Sequence, residues 1–202
     1  MSNVVYSFSQ DDGICNGKLH DDTVFLFDAA LFPRIDGIKF YRSRKDTESH
    51  KTYIVDRNGK KVHMYLLGET PGFEVDHINL DTLDNRMCNL RICTHQQNQC
   101  NQPLQRNNTS GVSGVSYYPP RHKYRARIKI GQHDIHLGYY CSFIEAVQAR
   151  NVGMECMFGE YGRYNDVPEA PYWIRKLVNE KCERFAELSV CRAFLLSRGG
   201  VA

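Results

Sequence analysis

Apolar positions in residues 1–70 come in short runs broken by turn-forming pairs, at Asp12-Gly13, Asn16-Gly17, Asp36-Gly37 and Asn58-Gly59. That pattern predicts short strands joined by tight turns. Tyr53-Ile54-Val55, then Asn58-Gly59, then Lys61-Val62-His63-Met64-Tyr65 spells a β-hairpin. Pro71-Gly72 closes the region, so residues 1–72 are expected to be a β-rich segment. Residues 73–101 change character. Phe73 to Ile78 reads as a strand, Asn79 to Asn89 as a polar loop, and Leu90-Arg91-Ile92-Cys93 as a second strand. Thr94-His95-Gln96-Gln97 has the T-x-x-Q spacing of a capping box, which predicts a helix with Asn98 in its first turns.

Residues 102–113 are polar without an apolar period and read as a linker. In residues 114–165, Gly114 to Tyr117 suggests a strand. Tyr124, Ala126, Ile128 and Ile130 then alternate with Arg125, Arg127 and Lys129. After the Gly131-Gln132 turn, His133 to Tyr139 makes a third strand with Ile135 and Leu137 on its apolar face. Ser142-Phe143-Ile144-Glu145 is another capping box. Phe143, Ala146, Val147, Met154, Met157 and Phe158 form a helical apolar face, and Gly159 is placed to end it. The expectation is a three-stranded antiparallel sheet backed by one helix, with its other face basic. Residues 166–202 follow Pro168 and Pro171 as an amphipathic helix. Its apolar side holds Ile174, Leu177, Val178, Phe185, Leu188 and Leu195, to be covered by the rest of the chain or by a second copy.

Composition narrows the class. With 42% hydrophobic and 24% charged residues over 202 positions, the chain reads as globular, in one domain or a few small ones. No apolar run reaches the roughly 18–20 residues of a membrane span, and the N-terminus shows no secretory pattern. The expected setting is cytoplasmic, with no membrane partner, and the eight cysteines are read as free thiols. Net charge is only +3, yet residues 1–70 hold ten basic and ten acidic side chains while Asn85 to His133 holds no Asp or Glu. That acid-free stretch carries Arg86, Arg91, Arg106, Arg121, Lys123, Arg125, Arg127 and Lys129. Such a run suits a polyanion.

The candidate chemistry lies at Asp76-His77, Asn89 and Asn98. A carboxylate and a carboxamide oxygen suit a hard divalent cation that keeps open positions for phosphate oxygens. A neutral imidazole beside them is a suitable general base near neutral pH. Asn89 would bond across the loop and hold His77, and Arg86 or Arg91 would clamp a neighbouring phosphate. Any one of these residues alone is explained by an ordinary turn. The four together, with the helix cap in register, point to phosphodiester hydrolysis.

Val75-Asp76-His77-Ile78-Asn79, Asp84-Asn85-Arg86, Asn89-Leu90-Arg91 and Thr94-His95-Gln96-Gln97-Asn98 resemble the HNH homing endonucleases of bacteriophages. The resemblance covers roughly residues 60–110. It implies a ββα-metal (His-Me finger) fold, with His77 as general base, Asn89 as the structural middle residue, and Asp76 and Asn98 as ligands of Mg²⁺ or Mn²⁺. Met64 stands where relatives carry an Arg after the His63 position, and Leu80 stands where a Gly is common. Gly114-Val115, Tyr124-Arg125-Ala126-Arg127-Ile128, Leu137-Gly138 and Glu145-Ala146 resemble the apetala-two (ERF-type) DNA-binding domain over about residues 108–165. That second resemblance implies that Arg125, Arg127, Lys129 and His136 face DNA and that Arg121 and Lys123 reach phosphates. Ser116 and Tyr118 occupy places where the family's first strand usually offers arginines.

The expected fold class is therefore α+β: an N-terminal β-rich segment, a ββα-metal nuclease unit over 73–101, a linker, an ERF-type module over 114–165 and a C-terminal amphipathic helix. The expected function is metal-dependent cleavage of double-stranded DNA to 5′-phosphate and 3′-hydroxyl ends, with no organic cofactor. A non-catalytic DNA-binding regulator that keeps a decayed nuclease fold is the alternative. Cys88, Cys93, His95 and Cys100 fall within thirteen residues, but their spacing matches no common zinc finger, so structural zinc is not expected.

Overall fold

Asp12 accepts from the amide of Ile14, Gly13 takes φ +66°, and the chain reverses there. This turn joins β1 (Val4–Phe8) to β2 (Ile14–Leu19). A second turn, closed by the Asp21 carboxylate on the Thr23 amide, leads to β3 (Val24–Asp28). The computed structural model describes residues 3–9, 11–43, 51–104, 106–131 and 133–186. It divides into two compact units, Met1–Asn98 and Gln99–Ala202.

In the first unit, β1, β2 and β3 form an antiparallel sheet in that order. Asn16-Gly17 is not a turn, contrary to expectation. It lies inside β2, where Gly17 pairs with Tyr6 on one side and Phe25 on the other. A Cβ on Gly17 would come within 2.3 Å of the Phe25 ring, so glycine is there to seat that ring. After a 3₁₀ turn (Ala29–Arg34), β4 (Tyr41–Arg42) pairs with β5 (Ile54–Val55). The Asn58-Gly59 turn forms as expected, built on Asp56. Its carboxylate accepts from the amides of Asn58 and Lys60, both at 2.8 Å, and from the Tyr65 hydroxyl at 2.8 Å.

The second arm of the expected hairpin does not form. It gives one bridge, Val55 to Lys61, and then turns into α1 (Val62–Leu67). The helix turns Val62, His63 and Leu66 inward and leaves Met64 at the surface. Val62 and Leu66, one turn apart, join the core of Phe25, Phe27, Ile35, Phe40 and Ile54. Packing against this core outweighs the local β preference of the segment. The unit ends with β6 (Glu74–His77) antiparallel to β7 (Leu90–Cys93), followed by α2 (His95–Cys100). The Thr94 hydroxyl accepts from the Gln97 amide and the Gln97 side chain accepts from the Thr94 amide, which is the expected reciprocal cap.

In the second unit, β8 (Val115–Tyr118), β9 (Lys123–Ile130) and β10 (His133–Tyr140) form an antiparallel sheet with β9 central. The Ser142–Glu145 capping box opens α3 (Phe143–Phe158). Ala126, Ile128, Ile130, Ile135 and Leu137 pack with Val147, Val152, Met157 and Phe158 in one core. This is the expected sheet-on-helix arrangement. Burying this many branched and aromatic side chains, at about 1.5–3 kcal/mol each, supplies the main driving force. A further helix, α4 (Tyr172–Ala186), adds Ile174, Val178 and Cys182 to the core. Leu177, expected on its apolar side, is 36% exposed instead. Leu188 and Leu195 lie outside the described residues.

Candidate active site

The loop between β6 and β7 is held from below by the N-terminal sheet. Leu26 donates its amide to the Leu83 carbonyl at 2.8 Å, and Asn85 donates its amide to the Leu26 carbonyl at 2.7 Å. The Asp28 carboxylate accepts from the Met87 amide at 2.7 Å. Thr82 donates its hydroxyl to the Thr52 carbonyl. Residues far upstream in the chain therefore fix the shape of this loop. Leu80 adopts φ +68° at its start, the left-handed region that a Gly would occupy without strain.

Asn89 bonds across the loop as expected. Its side-chain oxygen accepts from the Asn79 amide at 2.9 Å, and its NH₂ donates to the Asp84 carbonyl at 2.8 Å. The imidazole of His77, however, is held by a different residue, Asn85. His77 Nε2 lies 3.2 Å from Asn85 Oδ1, and Asn85 is fully buried. Asn85 also donates its NH₂ to the Leu83 carbonyl, so the oxygen end of its amide must face the imidazole. A carbonyl oxygen can only accept, so Nε2 carries the proton and Nδ1 is the basic nitrogen. Asn85 was missed as a site residue because an Asn in an Asx-rich loop carries no signal of its own. Only the fold shows which of several asparagines meets the ring.

Asp76 and His77 point to opposite sides of β6, yet both are buried, and both line one small cavity with Asn98, Lys51, Tyr53 and Thr82. Its volume is about 30 Å³, roughly the room for an ion or one to two waters. Burial pushes the His77 pKa down from its ordinary value, against the opposing pull of Asn85 and Asp76. The ring is therefore neutral near pH 7, the state a base requires. Burial, and then the Asp76 charge, push the Tyr53 phenol up. Lys51 and Tyr53 come from the segment before α1 and Thr82 from the β6–β7 loop, and no sequence motif marks them.

Asp76 Oδ2 accepts from Arg91 Nε at 2.9 Å and from the Arg91 guanidinium end at 2.7 Å. Arg86 makes a two-point pair with Asp84, with both contacts at 2.7 Å, and this guanidinium holds the Asp84 carboxyl below the usual range. Both arginines expected to clamp phosphate are thus paired with carboxylates here. Asn98 donates its NH₂ to Glu74 at 2.5 Å, which turns its oxygen end away from Glu74. Asp76 and Asn98 would then offer one carboxylate and one carboxamide oxygen, hard ligands of a kind that suits a small divalent cation with room for other oxygens. The Cys88–Cys100 cluster does not converge in this way. Cys93 directs its thiol at the Glu74 carbonyl, and burial pushes its pKa up to about 12, while His95 bonds Glu74 at 2.7 Å.

Residues 62–100 match the HNH endonuclease family model. The matched segment runs from α1 through α2 and contains Asp76, His77, Asn85, Asn89 and Asn98. A curated relative, Protein 3.8 of Escherichia phage T7, is 32% identical over 57 residues, which is 28% of this chain and 47% of that protein. The chain thus spans about half the length of that relative. No solved structure matches the chain. No helix among the described residues is long and apolar enough to cross a membrane.

The remaining expected DNA contacts lie in the second unit. Arg125, Arg127 and Lys129 alternate along β9 with the buried Ala126, Ile128 and Ile130, and so share the face away from α3. His136 stands opposite Arg127 on β10. Arg121 and Lys123 sit at the β8–β9 turn, with the Arg121 guanidinium 4.6 Å from the Tyr139 ring centre. Arg127 pairs with Asp134 at 3.0 Å. Ser116 lies beside Arg125, and the Tyr118 ring is 5.7 Å from the Arg125 guanidinium.

Proposed function

We propose that this chain is a metal-dependent DNA endonuclease of the HNH type that hydrolyses phosphodiester bonds to 5′-phosphate and 3′-hydroxyl ends. The observation that carries the reading is a neutral, buried His77, its tautomer set by Asn85, in one cavity with the oxygen ligands Asp76 and Asn98. His77 Nδ1 takes the proton of a water as that water's oxygen attacks phosphorus, and the resulting charge on the ring is eased by the adjacent Asp76. The bond to the 3′ oxygen then breaks, that oxygen takes a proton from solvent to become the 3′-hydroxyl, and the phosphate stays on the 5′ end. Asp76 and Asn98 would hold Mg²⁺ or Mn²⁺, whose charge offsets that on the scissile phosphate and the leaving oxygen. Arg91 fixes the orientation of the Asp76 carboxylate, and Asn89 holds the loop that carries Asn85.

The second unit supplies DNA affinity in this reading. Residues 114–165 act as an ERF-type module that lays the Arg125, Arg127 and Lys129 face on DNA. A plasmid nicking assay with Mg²⁺ tests the catalytic half. His77→Ala is expected to abolish cleavage while duplex binding and the melting curve are retained, and EDTA is expected to stop the wild type. Full cleavage by His77→Ala would sink the base assignment. An inactive but DNA-binding wild type would favour the regulator with a decayed site.

A further inference from the structure

α4 runs antiparallel to the edge strand β10. Trp173 meets Tyr140 with ring centres 6.1 Å apart, Lys181 donates to the Leu137 carbonyl at 2.8 Å, and Phe185 meets His133 at 6.5 Å. The β10 ladder slips between His136 and Gly138, and Lys181 caps the carbonyl at that irregularity. One consequence is protective, since a covered edge does not recruit other strands. The other is that the basic face becomes an open trough of about 570 Å³, walled on one side by α4.

The lining has one chemistry. Arg121 and Lys123 stand on the turn side, Lys181 and Leu177 on the helix side, and His136 and Tyr139 between them. Among the described residues, no carboxylate lines it. The Arg121 guanidinium lies over the Tyr139 ring, and a stacked guanidinium keeps its in-plane N–H groups available for an anion. The charge is felt locally: partial burial, then Lys181, Arg125 and Arg121, push the His136 pKa down. Beside the geometry of the lining, this marks a positive potential at His136 that a phosphate would relieve. Ser116 and Tyr118 meanwhile give β8 no cation. Positive charge is thus shifted across the sheet from β8 toward β10.

We propose that this trough is a backbone-phosphate subsite for nucleic acid, with Lys181 of α4 as the donor that closes it. The proposal rests on the reading that the second unit binds DNA. It adds α4 as a structural part of that surface and moves the phosphate track to the β10 edge.

The test measures binding of the full chain to a short mixed-sequence duplex across a salt series. Lys181→Gln is expected to weaken binding roughly five- to tenfold at about 0.1 M salt and to reduce the log–log salt slope by about 0.9, one phosphate contact. Lys181→Arg is expected to keep the wild-type slope. Leu177→Glu, which puts an acid on the same wall one helical turn from Lys181 and keeps the Lys181 side chain, is expected to weaken binding likewise and keeps the test decisive if Lys181→Gln does not fold. Unchanged affinity and slope in both Lys181→Gln and Leu177→Glu, beside a loss in Arg125→Ala with Arg127→Ala, would overturn the trough and leave the sheet reading standing. No loss in any of these variants would overturn both. A Lys181-dependent chemical-shift response to inorganic phosphate alone, without one to the duplex, would assign the trough to a free anion and overturn the backbone assignment.

Discussion

Replacing His63 with leucine is expected to make the first unit less sensitive to acid. His63 is 4% exposed on α1, its Nδ1 has no hydrogen-bond partner among the described residues, and its ring lies 5.1 Å from that of His77 and 6.2 Å from that of Tyr53. Burial, and then the proximity of His77 and Lys61, push its pKa from 6.5 down to about 3. The folded state therefore refuses a proton that the unfolded chain accepts once pH drops below the unfolded value. Stability is full above that value, falls as pH descends toward the folded pKa, and levels off below it. At about pH 5 the unfolded chain is favoured by about 2 kcal/mol through this group, with a ceiling of about 5 kcal/mol below about pH 3. His77 is shifted in the same direction but remains in the variant, so the difference between the two proteins isolates His63. The assay is urea unfolding at about pH 7, 6 and 5, followed by far-ultraviolet circular dichroism. The single tryptophan, Trp173, lies in the second unit, so its fluorescence midpoint serves as an internal control. The leucine variant should lose about 2 kcal/mol less than the wild type between the two extremes. Parallel pH dependences within about 0.5 kcal/mol would refute the claim that His63 is held neutral by burial.

Asn85→Ala removes the partner that sets the His77 tautomer and one of the two donors to the Leu83 carbonyl, leaving the Leu26 amide as the other. We expect a loss of about 1–3 kcal/mol in stability and a drop in cleavage of roughly 10–100-fold, read by urea melts and plasmid nicking. Wild-type nicking by a folded Asn85→Ala would refute its positioning role. Arg125→Ala combined with Arg127→Ala should weaken duplex binding and flatten its salt dependence by a slope of about 1–2. Unchanged affinity across a salt titration would remove this face from the DNA surface.

How much was legible beforehand follows from how far each signal reaches along the chain. Ser142–Glu145 and Thr94–Gln97 cap their helices as expected because a capping box is closed by residues three apart. The Lys123–Ile130 strand shows its two faces for a similar reason: side-chain direction alternates whatever lies beyond. Val62–Leu67 was misread because its composition tolerates either element. The decision came from Phe25, Phe27 and Phe40, which α1 meets only in three dimensions. Asn16-Gly17 was misread likewise, since the ring that needs the glycine is eight residues away on β3.

The site divides along the same line. The candidates Asp76, His77, Asn89 and Asn98 stand out in the sequence by type and spacing, because the proposed chemistry requires an acid, an imidazole and amides close together in the chain. Which amide holds the imidazole was not, since Asn85 and Asn89 have equal local claims. The bond between Asn85 and the Leu26 carbonyl, fifty-nine residues upstream, helps place Asn85 beside the ring. The basic face of the sheet could be read from alternation alone. That α4 walls it could not, because Lys181 meets Leu137 across forty-four residues and no periodicity encodes that distance. By itself the sequence determined the capped helices, the alternating basic strand, the acid-free basic stretch and the candidate side chains, since each depends on neighbours along the chain. Only the tertiary structure decided the tautomer of His77, the neutrality of His63 and the shape of the basic trough, since burial and long-range hydrogen bonds exist only once distant segments pack.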